Sequence, residues 1–436
     1  MDAYSATLAR LYGRTNEGIK LGLETTRELL RALGHPDAAM QHVVVAGTNG
    51  KGSTSTLMAT ALRDAGHRVG HFTSPHLLRF TERITIDGQE LSRAAVVDLA
   101  ARIEAASVAC TRPPTFFEIV TAMALVAFAE AKVTLAVLEV GMGGRLDATN
   151  AVAKRQSVIT AIDLDHQRYL GDTLAAIAAE KAGIIEARVP VVTGRQHDEA
   201  LAVLERAAAL CHAPLVRAPE LSFASGVAVL PANDTRAELR FAAIPQGSYQ
   251  RDNLALAATA LSLLDATGLA CPPAAIILAA RDFVWPGRYQ WLRGGASART
   301  DVLVDGAHNP AGITALLAAL ADDVRVGPTR ALHVVTTVLA DRPAEQMLKP
   351  VARRATTLQL VPVRSPRSRS APELATLAAS YDAQGTAAAS CAEALAKAIE
   401  RAHADGGLVL VCGSLLLVAD ALAELTGAPR DPPADG

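Results

Sequence analysis

Short runs of β-branched and other apolar residues alternate along the chain with longer alanine- and leucine-rich segments of helical period, the pattern of an α/β fold built on a mainly parallel sheet. The first series of expected strands is His42–Ala46, Val133–Val140, Ser157–Ile162 and Val189–Thr193. A second series follows at Asp301–Val304, Ala331–Thr336 and Leu408–Cys412. Between them Trp285-Pro286-Gly287-Arg288, and shortly afterwards Gly294-Gly295, interrupt both periods, so the domain boundary is expected there. This gives an N-terminal domain over residues 1–290 and a smaller C-terminal domain over residues 298–426. The stretch Gly427-Ala428-Pro429-Arg430-Asp431-Pro432-Pro433 cannot continue a helix, and residues 427–436 are expected to fray.

Composition narrows the class. The 436 residues leave room for two or three domains with cores of their own, which excludes a small disulfide scaffold. Basic and acidic side chains number 42 and 44, so there is no electrostatic footprint for nucleic acid. The five cysteines are scattered and form no C-x-x-C pair, so free thiols in a reducing cytoplasm are expected. The most apolar stretch, Met123 to Val140, is interrupted by Glu130 and Lys132, and the first twenty residues have no apolar core, so neither a membrane span nor secretion is expected. No repeat is visible.

The run from His42 through Gly47-Thr48-Asn49-Gly50-Lys51-Gly52-Ser53-Thr54 reads as strand, glycine loop and helix. Apolar Leu57, Met58, Ala61, Leu62 and Ala65 give the helix a buried stripe, and Gly66 is placed to cap its end. Such a loop lets backbone N–H groups converge on phosphate oxygens, with Lys51 as a point charge. The general phosphate-loop pattern would have glycine at Val45 and a hydroxyl directly after Lys51, where Gly52 stands. Ser53 or Thr54 must therefore supply the hydroxyl for Mg²⁺. No N-K-x-D motif occurs, which argues against an ordinary GTPase.

Other candidates sit at strand ends. Glu139 closes an apolar strand before Gly141, Gly143 and Gly144, at the edge where open α/β sheets bind ligands; it is either a Mg²⁺ carboxylate or half of a salt bridge. His166 follows the next strand 27 residues on, and reads as a ligand or a hydrogen-bonded loop residue. Lys181 lies near a helix end, where it could simply complement the dipole. Asp305, after a strand of the second series, could hold a ribose hydroxyl pair or cap a helix. Phe117 reads as a core aromatic, Asp147 as a capping residue and Ser74 as a turn serine.

The stretch V-A-G-T-N-G-K-G-S-T closely resembles the loop of folylpolyglutamate synthases and dihydrofolate synthases, relatives of the Mur ligases. Further matches are Leu21-Gly22-Leu23-Glu24, Ser74-Pro75-His76-Leu77, Glu139 to Asn150, Asp165-His166, Glu180 to Ile184, Asp305 to Pro310 and Gly413-Ser414-Leu415. Leu215 to Phe241 carries no recognisable match.

The resemblance implies a P-loop domain and a smaller Rossmann-like domain with ATP between them. It assigns Gly47 to Ser53, Arg288, Asp305 and His308 to ATP, and Ser53, Ser74, Glu139 and His166 to Mg²⁺. Lys51, Lys181 and His166 are implied to be catalytic, with Lys181 carbamylated. Phe117 and Asp147 match the pterin pocket of bifunctional relatives, and Ser414 lies near the incoming glutamate. The expected reaction is ATP-dependent ligation of L-glutamate to dihydropteroate and to reduced folates through an acyl phosphate. The expected enzyme is a cytoplasmic monomer acting on small molecules, with no nucleic-acid or membrane partner. The alternatives are a monofunctional folylpolyglutamate synthase, a Mur-type ligase of UDP-muramoyl peptides, and a nucleotide-binding regulator without catalysis. Against the Mur-type alternative stand the G-K-G-S loop and the lack of a recognisable preceding UDP-binding domain.

Overall fold

The computed structural model describes residues 2–14, 22–232, 237–264, 268–294, 299–327, 329–381 and 383–432. Leu21, Gly295 and Pro433 of the motifs above lie outside the described residues. An eight-stranded sheet comprises β1 (Gln41–Ala46), β2 (Val69–Phe72), β3 (Ile84–Ile86), β4 (Gln89–Glu90), β5 (Leu135–Glu139), β6 (Gln156–Ile159), β7 (Val191–Thr193) and β8 (Leu215–Arg217). Its order is β4-β3-β2-β5-β1-β6-β7-β8, and all pairs from β2 to β8 are parallel.

Strand β1 sits inside this sheet and is covered on both faces, which is why it reads as an unbroken apolar run. Val44 and Ala46 pack with Phe72, Leu138 and the Phe116–Glu130 helix. Val43 and Val45 face the other way, onto Leu57 and Met58 of the Lys51–Asp64 helix and Leu254 and Leu261 of the Gln250–Leu264 helix. Strand β6 stops at Ile159, short of the expected Ile162, because the Gln196 side chain takes the place of a neighbouring strand. The Ile162 N–H donates to its Oε1 at 3.0 Å, and its Nε2 donates to the Thr160 carbonyl at 2.9 Å.

The unmatched Leu215–Phe241 region holds β8 and a small antiparallel sheet of β9 (Ser222–Ala224), β10 (Val227–Leu230) and β11 (Leu239–Phe241). The remaining sheet contains β12 (Gln290–Gly294), β13 (Thr300–Val304), β14 (Leu332–Thr336), β15 (Thr357–Leu360), β16 (Thr386–Ala387) and β17 (Leu408–Cys412), in the order β12-β13-β17-β14-β15-β16. Strand β12 falls where turns alone were expected. It is an antiparallel edge strand on β13, and its half-exposed Gln-Trp-Leu-Arg-Gly sequence gives no apolar run to detect.

The expected frayed tail is instead fastened as far as Asp431. Its N–H donates to the Leu78 carbonyl at 2.8 Å, and its carboxylate accepts from the Tyr4 hydroxyl at 2.6 Å and the Phe80 N–H at 2.9 Å. Arg430 pairs with Asp420 of the preceding helix. These side-chain partners hold an extended segment that has no helix propensity of its own. Among the described residues no helix is long and apolar enough to cross a membrane.

Candidate active site

The carboxyl ends of β1, β5 and β6 deliver the phosphate loop, Glu139 and the Asp165-His166 segment to one edge, as open α/β sheets do. Thr48 ties the loop to the segment after β6: its Oγ1 donates to the Asp163 carbonyl and accepts from the Asp163 N–H, both at 3.0 Å. Gly50 opens the Lys51–Asp64 helix at φ 91° without a side-chain cap, which leaves the first N–H groups of the helix available to an anion. A Cβ at Gly50 would lie 2.2 Å from Asn253 Oδ1, so both backbone and space require glycine. Lys51 Nζ folds over the loop and donates to the carbonyls of Gly47 and Thr48, each at 3.2 Å. Ser53 Oγ accepts from Gln250 Nε2 at 3.2 Å, and Gln250 accepts from Asn253 at 2.8 Å.

Glu139 is 5% exposed, and its carboxylate accepts from the Ser74 N–H at 3.2 Å. Burial pushes it up to about 7 against the pull of Lys51, Ser74, Arg288 and Arg83. A buried carboxylate so sparsely bonded, held by the Ser74 backbone and close enough to Lys51 of the phosphate loop to feel its charge, fits a hard divalent cation. Among the described residues no three His, Cys, Asp or Glu groups are gathered as a metal cluster.

Lys181 is 4% exposed and does not serve as a surface helix-end cation. Its Nζ donates to the Gly47 carbonyl at 2.8 Å, the same oxygen that Lys51 reaches. Burial, and then the neighbouring Lys51 charge, push it down to about 7. His166 stands next to it in a left-handed backbone conformation (φ 50°), and burial pushes its imidazole down to about 4. Asp165 is a residue that sequence reasoning left without a role. Its Oδ1 accepts the His166 N–H at 2.7 Å, and Oδ2 accepts from Asn309 Nδ2 at 3.0 Å. Burial alone would raise it, yet His166, Arg342, His308 and Asn309 hold its carboxyl well below the usual carboxylate range.

The second sheet brings its own carboxyl ends to this cleft. Asp305 follows β13, but its carboxylate is already occupied: it accepts from the Tyr249 hydroxyl at 2.5 Å and from the N–H groups of Tyr289 and Ala307 at 2.8 Å each. Its bonds organise the turn, so any hold on ribose must share those oxygens. His308 Nδ1 lies 2.8 Å from the Gly306 carbonyl, and Nε2 lies 3.9 Å from Asp165 Oδ2. Arg288 acts on both His308 and Glu139. Ser414 caps the Leu415–Thr426 helix, and the preceding Gly413 N–H donates to Ala307 at 2.9 Å, which sets Ser414 near His308.

Phe117 and Asp147 meet at one backbone segment. A Cβ at Gly141 would strike the Phe117 ring at 2.6 Å, while Asp147 Oδ2 accepts from the Gly141 and Met142 N–H groups at 3.0 Å. Its Oδ1 takes the Thr149 hydroxyl at 2.6 Å and N–H at 3.0 Å, so Asp147 is a loop organiser in this structure. Sequence reasoning missed Tyr249, Gln250, Asn253 and Arg342, and it quoted Asp165 and Asn309 within motifs without giving them a role. Gln250 and Asn253 did leave a signal: two amides one helical turn apart open an otherwise apolar helix.

A nucleotide loop and a strand-end carboxylate in one α/β domain, facing a second α/β domain across a cleft, define an ATP-dependent ligase of the Mur class. The family model of the Mur ligase middle domain matches residues 45–192, and that of the Mur ligase glutamate ligase domain matches residues 287–415. The chain is 34% identical to the dihydrofolate synthase/folylpolyglutamate synthase of Bacillus subtilis, over 96% of this chain and 98% of that one. The structure of Escherichia coli FolC in complex with DHPP and ADP superposes with a TM-score of 0.79 at 31% identity, covering 95% of this chain and 96% of that one. That of the Yersinia pestis bifunctional folylpolyglutamate synthase/dihydrofolate synthase with AMPPNP and a Mn ion gives 0.82 at 30% identity, covering 97% and 98%. The chain belongs to the dihydrofolate synthase/folylpolyglutamate synthase family of Mur ligases.

Proposed function

We propose that this chain uses ATP to join L-glutamate to dihydropteroate, forming dihydrofolate, and to reduced folates, forming folylpolyglutamates. The observation that carries the reading is that the phosphate loop meets the second domain: Asn49 exchanges amide bonds of 3.0 and 3.2 Å with Asn309. The buried Glu139 at the edge of the first sheet lies in the field of the cations Lys51 and Arg288. One ATP phosphate chain between those cations would lie beside a carboxylate able to share its metal.

A free carboxylate is a poor electrophile at neutral pH. Transfer of the γ-phosphoryl group to the substrate carboxylate gives an acyl phosphate and ADP. The neutral amine of glutamate then attacks the carbonyl, and collapse of the tetrahedral intermediate forms the amide and expels phosphate. Gly47, Thr48, Asn49, Gly50, Gly52 and Ser53 cradle phosphates, while Lys51 and Arg288 offset their charge. Asp305 and His308 hold the nucleotide from the second domain, and Ser414 meets the incoming glutamate. Positioning and charge suffice, and no protein nucleophile is required.

Glu139, His166, Ser53 and Ser74 would hold Mg²⁺; Thr54 offers a further hydroxyl without a hydrogen-bond partner among the described residues. When bound, the ion polarises phosphate oxygens. Carbamylation of Lys181 is supported by its burial and lowered basicity, because only a neutral amine adds to carbon dioxide. That addition forms an N–C bond, releases one proton and turns the neutral amine into an anion; relative to the ammonium form two protons have left. We also propose a monomer acting on small molecules in the cytoplasm.

The occupied oxygens of Asp147 favour a second reading, a monofunctional polyglutamylating enzyme that has no need of a pterin-binding carboxylate. Phosphate release with dihydropteroate and with tetrahydrofolate, each with ATP and glutamate, separates the two. Dual function predicts turnover of both, with Phe117→Ala and Asp147→Ala lowering dihydropteroate ligation about tenfold more than tetrahydrofolate ligation. A protein that extends tetrahydrofolate and never consumes dihydropteroate is monofunctional.

A further inference from the structure

We propose that Asp165, Asn309 and Arg342 form a clasp that sets closure of the cleft between the two domains, making all three positioning residues for the ligation. The kinetic part of this inference rests on the function proposed above; the conformational part does not.

Asp165 belongs to the segment after β6, whereas Asn309 and Arg342 come from the part of the chain that builds the second sheet. The Asp165–Arg342 ion pair is buried, with the side chains 6% and 9% exposed. Asn309 is bonded in three directions. Its Oδ1 accepts the Gly312 N–H at 2.7 Å and so caps the Pro310–Asp322 helix. Its Nδ2 donates to Asp165 at 3.0 Å, and it exchanges amide bonds of 3.0 and 3.2 Å with Asn49 of the phosphate loop. One asparagine thus fixes a helix start in the second domain against both the phosphate loop and the segment carrying His166.

The ion pair gains its chemistry from the cleft. When the domains separate, Asp165 and Arg342 return to water, where each charge is well solvated. When they close, each loses that hydration and meets the other as its opposite charge, with Asp165 also accepting from the His166 N–H and from Asn309. Removing one partner leaves a bare buried charge in the closed form, while replacing both with uncharged groups of similar shape relieves that penalty. Closure should therefore suffer from either single substitution and recover in the pair. A residue that merely supported its own domain would not produce this pattern in a measurement of domain separation.

The test uses the full chain with and without magnesium and ADP, measured by small-angle X-ray scattering, together with steady-state ligation. Asp165→Asn and Arg342→Met are each expected to enlarge the nucleotide-bound radius of gyration, and to lower kcat/KM about 100-fold through misplacement of the two halves of the site. The Asp165→Asn/Arg342→Met double variant is expected to regain the compact scattering profile and about tenfold of the lost kcat/KM. Arg342→Lys, which keeps the charge, should fall between wild type and Arg342→Met and serves if Arg342→Met does not fold. Single variants with wild-type compaction and kcat/KM, or a double variant whose losses equal the product of the singles, would overturn the clasp. Should wild type lack ligation while scattering responds as described, the functional reading fails and the clasp stands.

Discussion

At the residue scale, the two lysines that share the Gly47 carbonyl are not equivalent. Lys51 rides on the first turn of the phosphate-loop helix, whereas Lys181 arrives from a helix 130 positions later and is the one whose basicity falls to about 7. A neutral amine at physiological pH is the form that carbon dioxide modifies, so the two positions should respond differently to the same truncation. Lys181→Ala should lower ligation about 10- to 100-fold, in line with losing a group that orients a metal site. Short carboxylic acids such as formate or acetate, which can stand in for a carbamate, should restore part of that activity. Lys51→Ala should abolish ligation with the fold retained, and the same acids should not restore it. Equal rescue of both variants, or of neither, would leave Lys181 an ordinary buried amine. Lys51 was legible because its role follows from four neighbouring residues. Asp165 was not, because its partners Asn309 and Arg342 lie 144 and 177 positions away and no local pattern can pair them.

At the element scale, the strand–loop–helix unit around β1 was legible throughout because its apolar run, its glycines and its buried helical stripe are all local. Strand β2 was not: Val69-Gly70-His71-Phe72 contains a glycine, needed because a Cβ at Gly70 would meet the Phe128 ring at 2.7 Å, and a histidine, both of which dilute the apolar signal. Gly52, where a hydroxyl follows the lysine in the general pattern, has a similar tertiary cause. A Cβ there would sit 3.0 Å from Nε1 and 3.4 Å from two ring carbons of Trp285, the tryptophan just before the second sheet. The loop departs from the common pattern because the chain packs an indole on its helix. Gly52→Ser should therefore cost about 1–3 kcal/mol as an overpacked contact, read as a lowered denaturation midpoint and weaker nucleotide binding. Gly52→Ser combined with Trp285→Leu should recover most of that loss. A single Gly52→Ser variant as stable as wild type would show that Trp285 yields freely.

At the scale of the whole molecule, the first sheet is built around neutral histidines, which makes the fold sensitive to acid. His71 on β2 is pushed down to about 3 by burial, with Ser55 Oγ at 3.0 Å from its Nε2. His42 on β1 is pushed down to about 4 by burial, with Nδ1 at 3.0 Å from the Ala153 carbonyl. An unfolded chain binds a proton at each near pH 6.5, whereas the folded chain refuses it until the pH is much lower. Between pH 6.5 and about 4 the unfolded state therefore carries more protons, and each histidine removes about 1.4 kcal/mol of stability per pH unit as the pH falls. Glu139 works in the opposite sense, since a carboxyl raised to about 7 is protonated more readily in the folded state between about 7 and 4.5. Glu139 offsets only one histidine over that window, and His166 and His308, which burial also pushes down to about 4, add to His71 and His42, so a net loss remains, and below pH 4.5 Glu139 gives no further relief. Urea midpoints measured from pH 7 to pH 4 should fall accordingly. His71→Gln, which keeps a polar group near Ser55 but cannot take the proton, should flatten the slope by about one proton. Parallel slopes for the variant and the wild type would mean that His71 accepts its proton in the folded sheet.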